Sequence, residues 1–367
     1  MIELKRLFAG MTAALLAVIL VFSFPADAVC AETAILMDAA TGRVLYSKMP
    51  DQKSLIASTT KIMTALVVCE QCNVLDRMRI PKEAVGIEGS SIYLKEGEVL
   101  TIQELLYGLM LHSGNDAATA LAIYCGGTVE GFVQLMNDKA RTLGLKNTHF
   151  ENPHGLDSND HYSTARDLGI LASFAMENPI FAKIVSTKTV RAGERFLKNH
   201  NKLLWQLEGA DGVKTGYTKS AGRILVSSAT RMDRRLIAVT TNDPCDWQDH
   251  VTLMNDAFQK YQEAQIVVSG QIVGHVEIAG GQSKQVELLA KEEFSCYLAE
   301  KENVQIYLPS LGFVYAPVAE GQSAGYAQVY LDNHWIGKIP LVYGQTVEQE
   351  EKEEPPIWKI LRRGNHT

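Results

Sequence analysis

What most limits the fold of this chain is a change of hydrophobic period. Over residues 34–264, stretches of helical spacing are enclosed by strand-like runs. From 266 to 342 only two-residue alternation remains, in short runs cut by glycine-rich turns. Helical spacing gathers apolar residues on one stripe, whereas alternation gathers them on one face of a sheet. A chain that holds the two patterns in separate blocks implies an α+β domain followed by a small all-β domain.

The first block opens with A-I-L-M-D-A at 34–39, turns at Thr41-Gly42 and returns as R-V-L-Y-S at 43–47, a hairpin pattern. A helix is expected from Ser58 to about Asn73. The run L-T-I-Q-E-L-L-Y-G-L-M-L at 100–111 has helical spacing, with Thr101 as N-cap and Glu104 in the capping-box position. It stops at His112-Ser113-Gly114-Asn115, and another helix is expected from Asp116. Further helices are expected at 131–143, closed by Gly144, and at 163–176, capped by Ser163 or Thr164. Strands follow at 187–191, 224–229 and 236–240, the last two joined by a polar turn at 231–235, and a helix at 247–264 ends the block. Strands at both ends with helices between imply one antiparallel sheet flanked by helices. The second block carries Q-I-V-V, G-H-V-E-I, V-Q-I-Y-L and Y-A-Q-V-Y-L. An acidic run at 345–354 reads as a disordered linker. Past Pro355-Pro356, I-W-K-I-L-R-R at 357–363 is basic and amphipathic, which suits peripheral contact with a membrane, although roughly two turns are too few for firm anchorage.

At the other end, Lys5 and Arg6 precede an apolar and small-residue run at 7–24. P-A-D-A at 25–28 then sets small residues at the A-x-A positions, and V-C-A at 29–31 offers a second cut. This is the order of a secretory signal, with an uncleaved anchor as the alternative. The chain therefore divides into a signal at 1–31, a large domain at 32–264, a β domain at 265–344 and a linker and tail at 345–367, and works outside the cytoplasm. A net charge of -7 over 367 residues speaks against a nucleic-acid binder. The six cysteines could pair in an exported protein. C-E-Q-C at 69–72 invites a zinc or redox reading, but a four-cysteine zinc site needs a second pair. A thiolate at a helix C-terminus is opposed by the dipole. Packed cysteines, and neither metal nor cofactor, are expected.

Three short patterns carry the chemistry: Ser58-Thr59-Thr60-Lys61, Ser113-Gly114-Asn115 and Lys214-Thr215-Gly216. Alone, each is better explained otherwise. Ser58 is an acceptable N-cap and Lys61 could snorkel, the second is a helix-to-helix turn, and the third a strand-edge turn. Together and in this order they point to one site. Residues i and i+3 share a helix face, so Ser58 meets Lys61. A serine hydroxyl is a weak nucleophile until a base takes its proton. Lysine is a base only when neutral, and burial beside Ile62, Met63 and Leu66 with a second cation, Lys214, nearby would depress its pKa. The unpaired N–H groups of the first helical turn can receive an oxyanion.

The triple resembles that of penicillin-binding proteins, and the chain is similar to the D-alanyl-D-alanine carboxypeptidases of low molecular mass. The likeness runs from about Glu32 to Ala264. It takes in S-T-T-K-I-M-T-A-L at 58–66, N-P-H-G-L at 152–156, H-Y-S-T-A-R-D-L at 161–168, D-G-V-K-T-G-Y-T at 211–218 and Ala221-Gly222. It continues into the β domain at P-V-A-E-G-Q, 317–322, and at 326–331. The resemblance implies a β-lactamase/transpeptidase-like fold and a peptidoglycan stem peptide as substrate, with β-lactam antibiotics as inhibitors. Ser58 would attack the penultimate D-alanine carbonyl, Lys61 take its proton, and Ser113 relay a proton to the leaving amine. Asn115 would bind the substrate backbone. Lys214 and Thr215 would hold the terminal carboxylate beside Gly216, and the Ser58 and Tyr217 N–H groups would form the oxyanion hole. It also places the protein at the cell wall or the outer face of the membrane.

One segment departs from the family. Some members carry an arginine for the carboxylate in N-x-N-x-L-L, where this chain has Asn199-His200-Asn201-Lys202-Leu203-Leu204. His200 is a weaker, pH-dependent cation. The alternatives are a D,D-endopeptidase, which uses the same residues, a β-lactamase, and a wall-binding protein without activity. A β-lactamase needs a deacylating carboxylate, and no E-x-x-L-N pattern lies between Ser113 and Lys214. Three intact motifs argue against an inactive protein.

Overall fold

The computed structural model describes residues 29–308 and 312–351. The signal segment at 1–28 and the basic tail at 357–363 lie outside them. The described residues fall into two compact units, divided between Met254 and Asn255.

In the first unit β1 (Thr33–Asp38) and β2 (Val44–Lys48) form the expected hairpin. A 3-10 turn at Ala57–Thr60 runs into α1 (Lys61–Gln71). The paired strands β3 (Arg77–Arg79) and β4 (Val99–Thr101) precede α2 (Ile102–Leu111), α3 (Asn115–Gly126), α4 (Val129–Thr142), α5 (Ala165–Glu177) and α6 (Pro179–Ser186). The ribbon β5 (Thr189–Ala192) and β6 (Arg195–Lys198) follows, then the short α7 (Leu203–Gln206), β7 (Ala210–Thr218), β8 (Gly222–Arg231), β9 (Arg234–Thr241) and α8 (Asp246–Lys260). The main sheet is antiparallel in the order β2-β1-β9-β8-β7, so strands from both ends of the unit meet in it, as the order of patterns implied.

Local signals explain where the helices begin. Thr101 and Glu104 form the full capping box on α2, and Thr164 accepts from the Asp167 N–H at the start of α5. Asn178 caps α6, which has proline in its first turn. In α1, Lys61 to Cys69 are all buried, round the whole circumference. A helix apolar on every side belongs in the middle of a core. Its one lysine therefore has no route to water.

Several expectations need correction. The helix expected from Ser58 is split, and Ser58 caps nothing. The Thr59 and Thr60 hydroxyls donate back to Ile56 O and Ala57 O at 2.5 and 2.8 Å, and this local bonding favours a tighter turn before Lys61. The strand expected at 187–191 is β5, which pairs only with β6 and stays out of the main sheet. Lys214-Thr215-Gly216 is no strand-edge turn but lies inside β7. The last helix ends at Lys260 rather than 264, with the Gln262 side-chain amide bonded to its final carbonyls at Phe258 and Gln259. Cys30 and Cys245 form a disulfide, a pairing the sequence left open.

The second unit is β throughout after α8. β10 (Gln262–Val267) pairs with β13 (Phe294–Leu298). The other strands are β11 (Ile272–Ala279), β12 (Gln285–Ala290), β14 (Val304–Tyr307), β15 (Val314–Tyr315), β16 (Ser323–Leu331) and β17 (His334–Tyr343). They form one sheet in the order β14-β16-β17-β12-β11-β15 around Val276, Val286, Leu288, Val329 and Leu341. The acidic run is not a free linker from its start. Val347 is buried and bridges to Val318, and Gln349 bridges to Gly281.

Candidate active site

The site is organised around Lys61 Nζ, on a residue with no exposed surface. It lies 3.0 Å from Ser58 Oγ, 2.7 Å from Asn115 Oδ1 and 2.5 Å from the His154 carbonyl oxygen. Two of these neighbours can only accept. A neutral amine has two N–H groups and one lone pair. In the neutral form the two fixed acceptors would use both N–H groups and leave the lone pair for the Ser58 hydroxyl, whereas the ammonium would donate to all three. Burial above all, and then the charge of Lys214, pull the Lys61 pKa well down, while Asp116 opposes them.

Each of the three groups around Lys61 is itself held. Asn115 opens α3, and its Nδ2 donates to Glu88 O at 2.6 Å, which fixes Oδ1 toward Lys61. Its own N–H donates to Ser90 O at 2.7 Å. The adjoining carboxylate of Asp116 accepts from Ser91 Oγ at 2.6 Å and from the Ile92 and Leu94 N–H groups at 3.1 and 3.0 Å. It ties residues 88–94 to α3. Gly89, at φ +90°, lets that loop approach, since a Cβ there would meet Asn115 Nδ2 at 2.8 Å. The His154 carbonyl belongs to a turn in which Asn152 Oδ1 accepts from the Gly155 N–H at 2.7 Å. Thr64 Oγ1 donates to Pro153 O at 2.6 Å, and Thr60 Oγ1 pairs with His161 Nε2 at 2.7 Å, so this region is fastened to α1 and to the turn that carries Ser58.

Ser58 lies ahead of the bonded N–H series, because the first such bond runs from Thr59 N–H to Ile56 O at 3.1 Å. β7 comes directly against this turn. A Cβ on Gly216 would stand 3.3 Å from Ser58 N, Thr59 N and Ile56 O. On the same strand Lys214 is buried, its Nζ donates to Thr215 O at 2.8 Å, and burial lowers its pKa to about 7. Thr215 is half-buried and Tyr217 is exposed. Ser113 sits between α2 and α3 at φ +62°, and its buried Oγ has no partner among the described residues. A non-glycine residue in that region is strained, which is common where a site fixes a side chain. His200 packs its ring 4.8 Å from that of His112. Burial first, then Lys214, then His112 lower its pKa to about 4. The expected pH-dependent cation is thus neutral near neutral pH, a correction to the sequence reading.

Ser58, Lys61 and Asn115 are joined by hydrogen bonds, Gly216 touches the serine turn, and His200 stands in the field of Lys214. Among the described residues no hydrogen bond ties Ser113, Thr215 or Tyr217 to the Ser58–Lys61 pair. Neither the His154 carbonyl nor the Asp116 tether was among the site groups expected from the sequence. Among the described residues no group of three His, Cys, Asp or Glu could hold a metal ion.

The model of the family described as D-alanyl-D-alanine carboxypeptidase matches residues 21–245. The chain belongs to that family. A model of the C-terminal domain of penicillin-binding protein 5 matches 261–349. The D-alanyl-D-alanine carboxypeptidase DacF of Bacillus subtilis is 35% identical over 335 residues, 87% of this chain and 86% of that protein. DacC of Escherichia coli is 33% identical over 88% of this chain and 86% of its own length. Penicillin-binding protein 5 from Haemophilus influenzae has a solved structure that superposes with a TM-score of 0.72 at 30% identity, covering 88% of this chain and 98% of that one. The carboxypeptidase is therefore a serine-type hydrolase and a penicillin-binding protein. It acts on peptidoglycan and binds β-lactams.

Proposed function

We propose that Ser58 is the nucleophile and Lys61 its base in removing the terminal D-alanine of a stem pentapeptide. The observation that carries this reading is the buried Lys61 Nζ 3.0 Å from Ser58 Oγ, with Asn115 Oδ1 and the His154 carbonyl, which can only accept, as its other partners. Ser58 Oγ attacks the carbonyl carbon of the penultimate D-alanine and its proton passes to Lys61. The oxyanion takes hydrogen bonds from the Ser58 and Tyr217 N–H groups. The C–N bond then breaks as the proton held by Lys61 is relayed through Ser113 to the leaving amine, which restores both residues, and free D-alanine departs. Water hydrolyses the ester and restores Ser58. Asn115 orients Lys61 and meets the substrate backbone. Lys214 and Thr215 hold the terminal carboxylate, and His200 adds a hydrogen bond rather than a charge. A β-lactam acylates Ser58 in the same way, but its leaving group stays tethered.

The deciding assay offers a stem pentapeptide and a cross-linked muropeptide dimer separately. Free D-alanine from the pentapeptide with an intact dimer supports the proposal. Dimer cleavage without free D-alanine makes the protein an endopeptidase.

Export and membrane contact belong to the same proposal. Val29 and Ala31 are buried, Lys48 Nζ donates to Val29 O at 3.2 Å, and Cys30 is bonded to Cys245. These contacts support cleavage after Ala28 over a cut within V-C-A. A mature N-terminus at Glu32 refutes that choice. Deleting 357–363 should release the protein from membranes, and unchanged fractionation would sink the tail's role.

A further inference from the structure

Two cysteines outside the site are placed to react with each other. Cys72 follows the last turn of α1, and Cys125 lies in the last turn of α3. Both are free thiols, half-buried at the edge of the main core, and each is the group that most shifts the other's ionisation. The backbone of Cys72 is extended, at φ −119° and ψ 146°, which turns it off the axis of α1. The two helices pack along each other. At their opposite ends stand Lys61 and Asn115, joined at 2.7 Å. We propose that Cys72 and Cys125 close a second disulfide, which staples the C-terminal ends of the two helices that carry the site.

The other cysteines do not compete. Cys30 and Cys245 already form a disulfide, and Cys296 belongs to the other unit. Cys69 is buried and burial pushes its thiol up to about 12, so it is neither exposed nor readily ionised. Between the two partners, the hydrogen bond from Cys125 lowers the Cys72 thiol and raises that of Cys125, which makes Cys72 the attacking group. The oxidant is a small-molecule disulfide. The Cys72 thiolate attacks one of its sulfurs, forms a mixed disulfide and releases the first small thiol. Cys125 loses its proton, attacks Cys72 Sγ and releases the second. Two protein thiols and one small disulfide become one protein disulfide and two small thiols. The bond would close a loop that contains Ser113, and cross-links of long loops stabilise mainly by restricting the unfolded chain.

The test uses the full chain, reduced and then reoxidised with oxidised glutathione. It is next alkylated under denaturing conditions, digested and mapped by mass. The proposal expects Cys72 and Cys125 in one disulfide-linked peptide, with Cys69 and Cys296 alkylated. In Cys125→Ser the second step is blocked, so glutathione should remain on Cys72. A cooperative thermal transition with the far-ultraviolet circular dichroism of the wild type shows that this variant is folded. Oxidised wild type should melt about 5–10 °C above oxidised Cys125→Ser, in which Cys30–Cys245 is retained. Recovery of Cys72 and Cys125 both alkylated, or of Cys72 joined to Cys69, overturns the pairing. Equal melting temperatures overturn the staple. None of these readings depends on the catalytic roles assigned above.

Discussion

Replacing Asn115 by aspartate changes one atom group and tests the base directly. Asn115 Oδ1 is 2.7 Å from Lys61 Nζ. A carboxylate at that separation attracts an ammonium by about 6 kcal/mol at an effective dielectric of about 20. Without the Nδ2 bond to Glu88 O the carboxylate swings away from that carbonyl, and at about twice the separation roughly half of this attraction remains. The remaining ~3 kcal/mol raises the lysine pKa by about two units, at about 1.4 kcal/mol per unit. The acid limb of the acylation profile should therefore move up by about two pH units, about 100-fold in rate at a pH on that limb. The assay is the rate of acylation by a fluorescent penicillin from acid to alkaline pH. Asn115→Asp should recover as pH rises, whereas Asn115→Ala should lower the rate and leave the profile in place. If Asn115→Asp is slowed by one factor at every pH, Lys61 is not the titrating base and the reasoning fails.

Four further outcomes follow from the structure. His200 is neutral near neutral pH, so His200→Arg should lower the KM of a D-alanyl-D-alanine peptide about tenfold by supplying a charged donor, and an unchanged KM would remove His200 from the carboxylate site. His250 is buried between Ser227 and Thr240, with its pKa lowered from 6.5 to about 3 by burial. The unfolded chain therefore binds a proton that the folded one refuses, so this stability is whole above pH 6.5 and drains away toward pH 3. His250→Gln should flatten the fall in denaturant midpoint over that window, and an equally steep fall in the variant would contradict it. At φ +89°, Gly155 faces the Ala57 carbonyl, so Gly155→Ala should both lower Tm and slow acylation by displacing the His154 turn. Gly42→Ala, at φ +69° with open space around it, should lower Tm slightly and leave acylation unchanged.

The parts of the site that the sequence revealed are those whose chemistry resides in side chains. Ser58, Lys61 and Asn115 could be grouped because S-x-x-K and S-x-N name the groups that meet. The His154 carbonyl left no such mark, since any residue supplies a carbonyl and this one is 93 positions from Lys61. Gly155 was the only local sign of a close approach. Asp116 marked only the expected start of a helix, and its hold on Ser91, Ile92 and Leu94 is a tertiary fact. The same division applies to the fold. Capping residues predicted α2 and α5 closely. The break before Lys61 depended on two threonine hydroxyls choosing backbone partners, and the fate of the acidic run depended on Val347 finding Val318. Charge described that run's solubility and not its pairing.

The central claim is that Ser58, activated by Lys61, becomes the covalent acyl carrier. It is tested by incubating the protein with a labelled penicillin, reading the intact mass and mapping the modified peptide. One adduct on Ser58, absent from Ser58→Ala and formed far more slowly by Lys61→Met, is the predicted result. No adduct on the wild type, or an undiminished one on Ser58→Ala, would contradict the account.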